Sequence, residues 1–465
     1  MTSRPSPYNH PMPVSPARAA AFDILLRVER ESSYASELLH SARYEKLSTP
    51  DHALATELVM GTLRWQSLLD SAIKQASSQP LKKLDLEVLT ALRIAGYQLG
   101  WLTKVPVRAA LHESVELVKR ARKRSAASFV NAVLRKLSTT PLCSPANPEQ
   151  GRRVPPVVSP SPETLSEAQA HPLWLVERWM AHYDVEAAQN ICRQNQSIPQ
   201  TTIRLRAPDA ESKLSAEGIS LSPGSVLTSA RRVISGNITK TESFRNGQVA
   251  IQDEASQLIA ALIGSAHDRI LDCCAAPGGK TLAIADQNPG AAITAVEIHP
   301  HRAHLMRKLL GENSQRIQIL TADARNLPLA QTFARILVDA PCSGTGTLAR
   351  NPEIKWRLKP EDLPQLHNRQ LAILRSAVQH LKPAGRLIYS TCSLEKEENE
   401  DVIGQLLKED PNLFLRDCRK ELDHLKTTGA LTWPDPGSLT RGPYLRTVPG
   451  IHPCDGFFAA ILESR

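Results

Sequence analysis

Two short strings, each ending a β-rich run in a cysteine, are the residues of this chain best suited to chemistry. Residues 339–344 read Asp-Ala-Pro-Cys-Ser-Gly and follow Ile-Leu-Val, while residues 389–393 read Tyr-Ser-Thr-Cys-Ser and follow Arg-Leu-Ile. A strand that ends at a cysteine places the thiol at the carboxyl edge of a sheet, where open α/β folds build their active sites. Two thiols at one such edge, Cys342 and Cys392, predict covalent catalysis.

A third string upstream predicts a cofactor site. Residues 271–281 read Leu-Asp-Cys-Cys-Ala-Ala-Pro-Gly-Gly-Lys-Thr, and the next two strands end near Glu297 and Asp323. A single acid at a strand end is ordinary turn chemistry, but Asp272, Glu297 and Asp323 at three consecutive strands follow the general nucleotide-binding layout. Neither GxGxxG nor a phosphate loop is present. A cofactor with a ribose and no phosphate, S-adenosylmethionine, therefore fits best.

A thiol beside this cofactor suits methylation of a pyrimidine carbon. Carbon 5 of cytosine is a poor nucleophile until a thiolate adds to carbon 6, which turns the ring into an enamine. Asp339 would hold the proton on ring N3 while the thiolate adds. The adduct must later lose its C5 proton, to a side chain or to water, and expel the thiol. Spacing alone leaves open whether Cys342 or Cys392 attacks.

These strings resemble the RNA cytosine-C5 methyltransferase family (the Nop2/Sun group), and within it the bacterial 16S ribosomal RNA enzymes. Residues 251–257, 351–356 and 455–458 match as well. The resemblance implies that Cys392 is the nucleophile and that Cys342 assists release of the methylated RNA. It also implies that the cofactor contacts are Cys274, Ala275, Ala276, Pro277, Gly278, Gly279, Lys280, Glu297, Asp323 and Asp339.

The hydrophobic pattern predicts several domains. Apolar residues at helical spacing predict an all-α bundle at 17–138, including one long helix over 51–79 with Asp51 as its cap. Strands and helices alternate after residue 251, which predicts a doubly wound, mainly parallel, Rossmann-like sheet. The expected division is a disordered tail (1–16), the bundle (17–138), a Pro-rich linker (139–164), a small α+β domain (165–247) and the methyltransferase domain (248–465). Within the small domain we expect strands at 225–227 and 230–234.

The charge balance favours an anionic partner. The formal net charge is +9, which is typical of proteins that bind nucleic acid. Five cations stand within residues 119–124, more than a helix C-terminus needs. We therefore expect an RNA contact from Lys119, Arg120, Arg122, Lys123 and Arg124. The bundle that carries them resembles the NusB-like RNA-binding domain.

The cysteine pattern excludes several classes of protein. Eight cysteines without a CxxC pair disfavour a zinc module or a disulfide framework, and indicate a reducing cytoplasm. We expect Cys143, Cys192, Cys418 and Cys454 to be inert packing residues, and the adjacent Cys273 and Cys274 to point to opposite sides of their strand. No apolar run reaches about 18 residues, so no membrane span is expected. No metal is expected, and the attached RNA-binding domain favours a monomer.

Alternative functions remain at this stage. The catalytic strings would also serve a methyltransferase acting on transfer RNA or 23S ribosomal RNA. A non-catalytic RNA-binding factor of the antitermination type would keep the bundle but has no need of the two thiols. A thiol redox enzyme is disfavoured because Cys342 and Cys392 lie 50 residues apart, unlike a CxxC motif.

Overall fold

The amino-terminal part of the chain is helical, because apolar residues recur there at the spacing of an α-helix. A computed structural model describes residues 14–139, 160–310 and 315–465. These residues form two compact units, the first of which runs to Gln196 and includes a later segment, Ala349–Trp356. Its helices are α1 (Pro16–Glu31), α2 (Ala35–Leu39), α3 (Thr49–Arg64), α4 (Gln66–Ala76), α5 (Leu86–Trp101), α6 (Val107–Arg120), α7 (Ala127–Thr139), α8 (Pro162–Ala168), α9 (Leu173–His182) and α10 (Val185–Asn195).

Buried faces of α1, α3, α5 and α7 form the core of this bundle, with Ile24, Leu58, Leu92 and Val130 fully withdrawn from solvent. This confirms the predicted all-α fold. Most of the predicted tail and linker lies outside the described residues. Where the chain is described, α1 already begins at Pro16 and α8 begins at Pro162.

The predicted long helix over 51–79 is wrong in two respects. It is broken at Trp65, whose backbone leaves helical geometry (φ −103°, ψ 15°) and whose buried ring packs 5.3 Å from that of Trp101. The N-cap is Ser48 and not Asp51, because the Ser48 hydroxyl accepts the hydrogen bond from the Asp51 amide at 3.2 Å. Asp51 instead lies in the first turn, where its charge favours the helix dipole.

The segment Ala349–Trp356 packs within the helical unit. Lys355 is fully buried, and its Nζ donates to the backbone carbonyls of Arg64 (2.8 Å) and Ala170 (2.7 Å). Trp356 Nε1 donates to the Leu63 carbonyl at 2.6 Å. One of the strings that resemble the methyltransferase family therefore satisfies backbone carbonyls of the bundle.

The second unit begins at Ser197 with a small antiparallel sheet of order β2-β3-β1-β4. The predicted domain of 165–247 stays a prediction, since the structure divides the chain between Gln196 and Ser197. The strands are β1 (Thr202–Leu205), β2 (Ser220–Pro223), β3 (Ala230–Ser235) and β4 (Val249–Ile251), accompanied by α11 (Ala210–Ala216) and α12 (Glu242–Arg245).

The predicted strand at 225–227 is wrong. The backbone amides of Ser225, Val226 and Leu227 all donate to the buried carboxylate of Glu254, at 2.8, 2.6 and 2.8 Å. Three successive amides that point at one side chain cannot alternate as a strand ladder requires. The strand next to β3 is instead β2.

A nine-stranded mixed sheet of order β11-β12-β13-β9-β8-β5-β6-β7, with β10 beside β13, forms the rest of the second unit. Its strands are β5 (Ile270–Asp272), β6 (Ile293–Glu297), β7 (Ile317–Thr321), β8 (Phe333–Asp339), β9 (Leu381–Thr391), β10 (Leu413–Arg416), β11 (Thr440–Arg441), β12 (Tyr444–Thr447) and β13 (Phe457–Ser464). The helices are α13 (Glu254–Ala261), α14 (Gly279–Gln287), α15 (Pro300–Leu310), α17 (Asp362–Val378), α18 (Glu400–Glu409) and α19 (Cys418–Thr427), whereas most of α16 (Ile354–Arg357) belongs to the helical unit.

Strands β7, β6, β5, β8 and β9 are parallel neighbours, and β13 pairs antiparallel with β9. The predicted Rossmann-like sheet is thus confirmed, with an antiparallel extension on one side. The chain runs outward from β5 through β6 to β7 and then returns to β8 on the other side of β5. Such a reversal of strand order leaves a crevice at the carboxyl ends of β5 and β8.

Candidate active site

The two thiols meet at the carboxyl end of the parallel sheet. Strands β8 and β9 are neighbours, with Asp339 opposite Ser390. Cys342 lies three residues beyond the end of β8, and Cys392 follows directly after β9. Their sulfur atoms are 3.4 Å apart, which is hydrogen-bond distance for a thiol. Two thiols that lie 50 positions apart in the sequence are therefore in direct contact.

The surroundings of Cys342 favour its protonated form. The hydrogen bond with Cys392 and burial raise the pKa of the Cys342 thiol well above its ordinary value, and the negative charges of Glu398 and Asp339 add to this. Either sulfur can be the donor in the contact of 3.4 Å, and the raised pKa favours Cys342 in that role.

Asp339 lies beside the thiols between two donors. Its Oδ2 accepts from Lys280 Nζ at 2.7 Å, and its Oδ1 accepts from the Ser390 hydroxyl at 2.7 Å. Burial lowers the pKa of Lys280, but the charge and hydrogen bond of Asp339 outweigh that effect and raise it. Lys280 therefore stays a cation, and its charge acts on Cys392 as well as on Asp339.

A cavity of about 440 Å³ opens at the carboxyl ends of β5, β6 and β7. Cys273, Cys274, Glu297 and Asp323 line it, and so does Pro341, the residue before Cys342. This volume suits a small organic cofactor, and its position beside Pro341 brings a bound cofactor close to the thiols.

The acids of the cavity suit the hydroxyl and amino donors of S-adenosylmethionine. Glu297 lines the cavity, and its Oε1 accepts from the His299 amide at 2.8 Å. Asp323 pairs with Arg325 at the cavity wall. Asp272, at the end of β5, lies outside the lining and has one buried oxygen without a hydrogen-bond partner in the described residues. Carboxylate oxygens are the acceptors that ribose hydroxyls and an adenine amino group require.

Not all of the predicted cofactor contacts line this cavity. The turn from Ala275 through Ala276, Pro277 and Gly278 to Gly279 links Cys274 to α14 and lies outside the lining, as do Lys280 and Asp339. Gly278 is the N-cap of α14 with φ +110°, a conformation that favours glycine. The cofactor roles of these residues remain predictions, and the contacts of Lys280 link it to the thiols.

The basic run of residues 119–124 lies at the end of α6. Lys119 pairs with Glu116 at 2.7 Å, and Lys123 pairs with Asp85 at 3.0 Å. Arg120 and Arg122 line a second cavity of about 540 Å³ in the helical unit. Two of the five cations are thus engaged within the bundle, and the RNA-binding role of the run remains a prediction.

The other cysteines lie in the protein interior. Burial raises the pKa of Cys192 and of Cys418 to about 12, and it raises those of Cys273 and Cys454 well above the ordinary value. Cys143 lies outside the described residues. Within the described residues no group of His, Cys, Asp and Glu is arranged to hold a metal ion, and no helix is long and apolar enough to cross a membrane.

Sequence reasoning missed two residues of this site. Ser390 orients Asp339 and carries no motif signal. Glu398, in a run of acids at 395–400, resembles a solvated helix start, yet it is fully buried beneath both cysteine loops.

Three segments of the chain match known protein families. Residues 259–463 match the family described as 16S rRNA methyltransferase RsmB/F, residues 15–139 match the NusB family, and residues 171–234 match the RsmF/B-like ferredoxin-like domain. Together with the parallel sheet and its cavity, these matches define the chain as an S-adenosylmethionine-dependent methyltransferase.

Relatives extend this similarity over the whole chain. The "Probable ribosomal RNA small subunit methyltransferase B" of Bacillus subtilis is 35% identical over 467 residues, which cover 96% of this chain and 98% of the relative. The "Ribosomal RNA small subunit methyltransferase B" of Pseudomonas putida is 32% identical, covering 97% and 98%. The chain belongs to the RsmB/F methyltransferase family.

A solved structure shares the complete fold. The crystal structure of PH0851 superposes with a TM-score of 0.77 at 23% identity, and the match covers 97% of this chain and 99% of that one. At this identity the likeness concerns the fold alone.

Proposed function

We propose that this chain methylates carbon 5 of a cytosine in small-subunit (16S) ribosomal RNA, with S-adenosylmethionine as the methyl donor. The observation that carries the proposal is the contact of Cys342 with Cys392 at 3.4 Å, close to Asp339 and directly after Pro341, which lines the cavity. Methyl transfer to an oxygen or nitrogen needs no covalent help, whereas carbon 5 of a pyrimidine does. A thiol pair at this position is therefore best explained by a pyrimidine carbon.

The first step is the attack of Cys392. Cys392 first loses its thiol proton to water, and N3 of the bound cytosine takes up a proton from solvent. A bond then forms between the thiolate sulfur and carbon 6, and the electrons of the C5–C6 double bond shift through the ring toward the protonated N3. Asp339 accepts a hydrogen bond from that proton, and Lys280 and Ser390 fix the carboxylate for this task. Because both partners are in place before the substrate arrives, the site does not reorganise as charge develops.

S-adenosylmethionine, when bound in the cavity that Glu297 and Asp323 line, would supply an electrophilic methyl group to the activated carbon 5 and would leave as the thioether S-adenosylhomocysteine. Elimination then removes the C5 proton to a base and breaks the bond between carbon 6 and Cys392. The leaving sulfur carries a negative charge, and Cys342, which holds its proton, donates a hydrogen bond to it. In this proposal Cys392 attacks and Cys342 assists release, the roles that the family resemblance implies.

The RNA target is proposed from the relatives. Those from Bacillus subtilis and Pseudomonas putida carry the name of small-subunit ribosomal RNA methyltransferases. The helical unit has the fold of a family that includes NusB, and the chain is basic overall. These features together favour a large structured RNA over a single free nucleotide.

The proposal is tested by methyl transfer from tritiated cofactor to small-subunit RNA. We expect label in 5-methylcytosine with the wild-type chain, none with Cys392→Ala, and a covalent protein–RNA adduct that survives a denaturing gel with Cys342→Ala. Cys454→Ala, a buried thiol of the same unit, serves as the matched control and should behave like the wild type.

Three results would contradict the proposal. Full activity of Cys392→Ala would rule out covalent catalysis. Label on transfer RNA or large-subunit RNA in place of small-subunit RNA would refute the target but keep the chemistry. Binding of RNA without any label transfer would indicate a non-catalytic RNA-binding factor.

A further inference from the structure

Glu398 is a buried carboxylate that touches both cysteine-bearing loops. Its side chain is fully shielded from solvent. Oε1 accepts from the Ser343 amide and from Gln370 Nε2, each at 2.8 Å. Oε2 accepts from the hydroxyls of Ser343 and Ser393, each at 2.5 Å. Ser343 directly follows Cys342 and Ser393 directly follows Cys392, so one side chain holds both loops immediately behind the thiols.

The carboxylate has no cationic partner in the described part of the chain. Its four hydrogen bonds come from one backbone amide, one side-chain amide and two hydroxyls. Arg446 forms its ion pair with Glu400 and not with Glu398. A buried charge that is not ion-paired costs free energy unless its hydrogen bonds are complete. A fully satisfied polar network of this kind fixes one geometry more strictly than apolar packing would. The hydrogen-bond network of Glu398 therefore fixes the position of the two cysteine loops, at some cost in the free energy of folding.

The loops are also linked by contacts that Glu398 does not make. The Gly346 amide donates to the Cys392 carbonyl at 2.8 Å, and a Cβ at residue 346 would lie 2.1 Å from the Gly456 carbonyl oxygen. The Leu394 amide, after Cys392, donates to the Thr345 hydroxyl, after Cys342, at 2.8 Å. These contacts hold the backbone of the loops together without Glu398. Loss of the carboxylate is thus expected to affect the segment around the thiols and not the fold of the sheet.

We propose that Glu398 is a positioning residue that holds the Cys342 loop against the Cys392 loop, so that the two sulfur atoms stay in contact through the reaction. This rests on the function proposed above for the two thiols. Its chemical role is in elimination, when the bond between carbon 6 and Cys392 breaks and the sulfur needs the hydrogen bond of Cys342. The charge of Glu398 also acts on Cys342 and adds to the preference of that thiol for its proton.

The test measures thiol contact without RNA. Diamide, a diazene oxidant, joins two thiols that meet: each sulfur loses one proton and one electron, a sulfur–sulfur bond forms, and the diazene is reduced to the hydrazine. The sulfur atoms must close from 3.4 Å to about 2.0 Å, so the rate depends on how the loops hold them. Peptide mapping by mass spectrometry identifies the Cys342–Cys392 link.

In the wild type we expect this link to form readily. In Glu398→Ala the rate should fall about tenfold, the factor that corresponds to about 1.4 kcal/mol. Glu398→Gln keeps an acceptor for the Ser343 amide and a donor for the two hydroxyls, so it should restore most of the rate. Glu254→Ala is the matched control, because Glu254 is another buried carboxylate of the same unit that accepts backbone amides. It should leave the rate unchanged.

The second measurement is turnover with small-subunit RNA. Glu398→Ala should lower kcat by about tenfold with KM unchanged or lower, and it should accumulate part of the covalent adduct that Cys342→Ala accumulates. Should Glu398→Ala fail to fold, the double variant Ser343→Ala, Ser393→Ala removes the same two hydroxyl contacts and is expected to slow cross-linking in the same way.

The outcomes separate the two proposals. A wild-type cross-linking rate in Glu398→Ala, or an equal loss in Glu254→Ala, would overturn the positioning role whatever the enzyme does to RNA. Slow cross-linking in Glu398→Ala together with unchanged adduct release would overturn a role in elimination. If Cys342→Ala traps no adduct, the proposed function of the thiols fails, and the diamide result still decides whether Glu398 positions them.

Discussion

Lys280 in the second unit and Lys355 in the helical unit are both largely buried, yet their pKa values shift in opposite directions. Lys280, with a side chain 14% exposed, faces the Asp339 carboxylate at 2.7 Å, and its pKa is raised. Lys355 is fully buried and donates to two carbonyls. Burial and the charge of Arg64 hold the pKa of Lys355 well below its usual value, against the effect of Cys192.

The difference shows what a buried cation needs. Burial disfavours the charged form of any lysine, and a carboxylate at hydrogen-bond distance reverses that effect. In the second unit the ion pair keeps a positive charge close to Cys392 and fixes the carboxylate of Asp339. In the helical unit the amine acts as a hydrogen-bond donor that satisfies backbone carbonyls, a task that needs no charge.

Removal of the charged lysine should have the largest effect. Lys280→Met leaves Asp339 without its cation and Cys392 without a neighbouring positive charge, so we expect single-turnover methyl transfer to fall about 10²–10³-fold. Lys280→Arg, which keeps the charge, should restore part of the rate. The affinity for S-adenosylmethionine, measured by calorimetry, should stay within about threefold of the wild type, because Lys280 lies outside the lining of the cavity. A loss of cofactor affinity with intact chemistry would instead support the cofactor contact predicted from sequence.

Removal of the other lysine should affect stability and not chemistry. Lys355→Met leaves the Ala170 carbonyl without its side-chain donor, while the Arg64 carbonyl keeps the donor Gln196 Nε2 at 3.0 Å, so the cost is about 1–3 kcal/mol. Hydrogen exchange should show faster opening of α3 and α9, which contribute to the same unit, while methyl transfer at low temperature is unchanged. Lys359→Met, at an exposed position, is the control. A drop in activity without faster exchange would mean that this lysine also serves the reaction.

Local signals account for what the sequence predicts well. The thiols stand at strand ends, and parallel strands bring their carboxyl ends to one edge, so the meeting of Cys342 and Cys392 follows from strand order. Glu297 and Asp323 line the cavity for the same reason. The roles of the two thiols came from family resemblance, because spacing is symmetric between them.

Long-range contacts account for what was missed. Lys280 reads as part of a glycine-rich turn, and its partner Asp339 lies 59 residues later. The strand predicted at 225–227 does not form, because its backbone amides donate to the carboxylate of Glu254, at the start of α13. Glu398 looks solvated because its neighbours are acidic, and only the fold of the loop after β9 shows that it is buried. None of these contacts leaves a periodic trace in the sequence.

Asp272 provides the smallest and sharpest test of the comparison, because it is a buried carboxylate close to Lys280 that does not pair with it. Burial raises the pKa of Asp272 to about 6, although the Thr281 hydroxyl donates to it at 2.7 Å. A raised pKa means that the folded state binds the proton more tightly, so this group contributes stability that is complete below about pH 4 and is lost as pH rises through about 6.

Asp272→Asn should therefore raise the free energy of unfolding of the second unit by about 2 kcal/mol at pH 8, and the gain should vanish near pH 4. Asn keeps an oxygen that accepts from Thr281, so the contact is retained. Urea unfolding at the two pH values measures the difference, with the exposed Asp423→Asn as control. An equal gain at both pH values would mean that the gain does not depend on the charge of Asp272, because Lys280 already compensates that charge. A carboxylate at hydrogen-bond distance would then not be what distinguishes the two buried lysines.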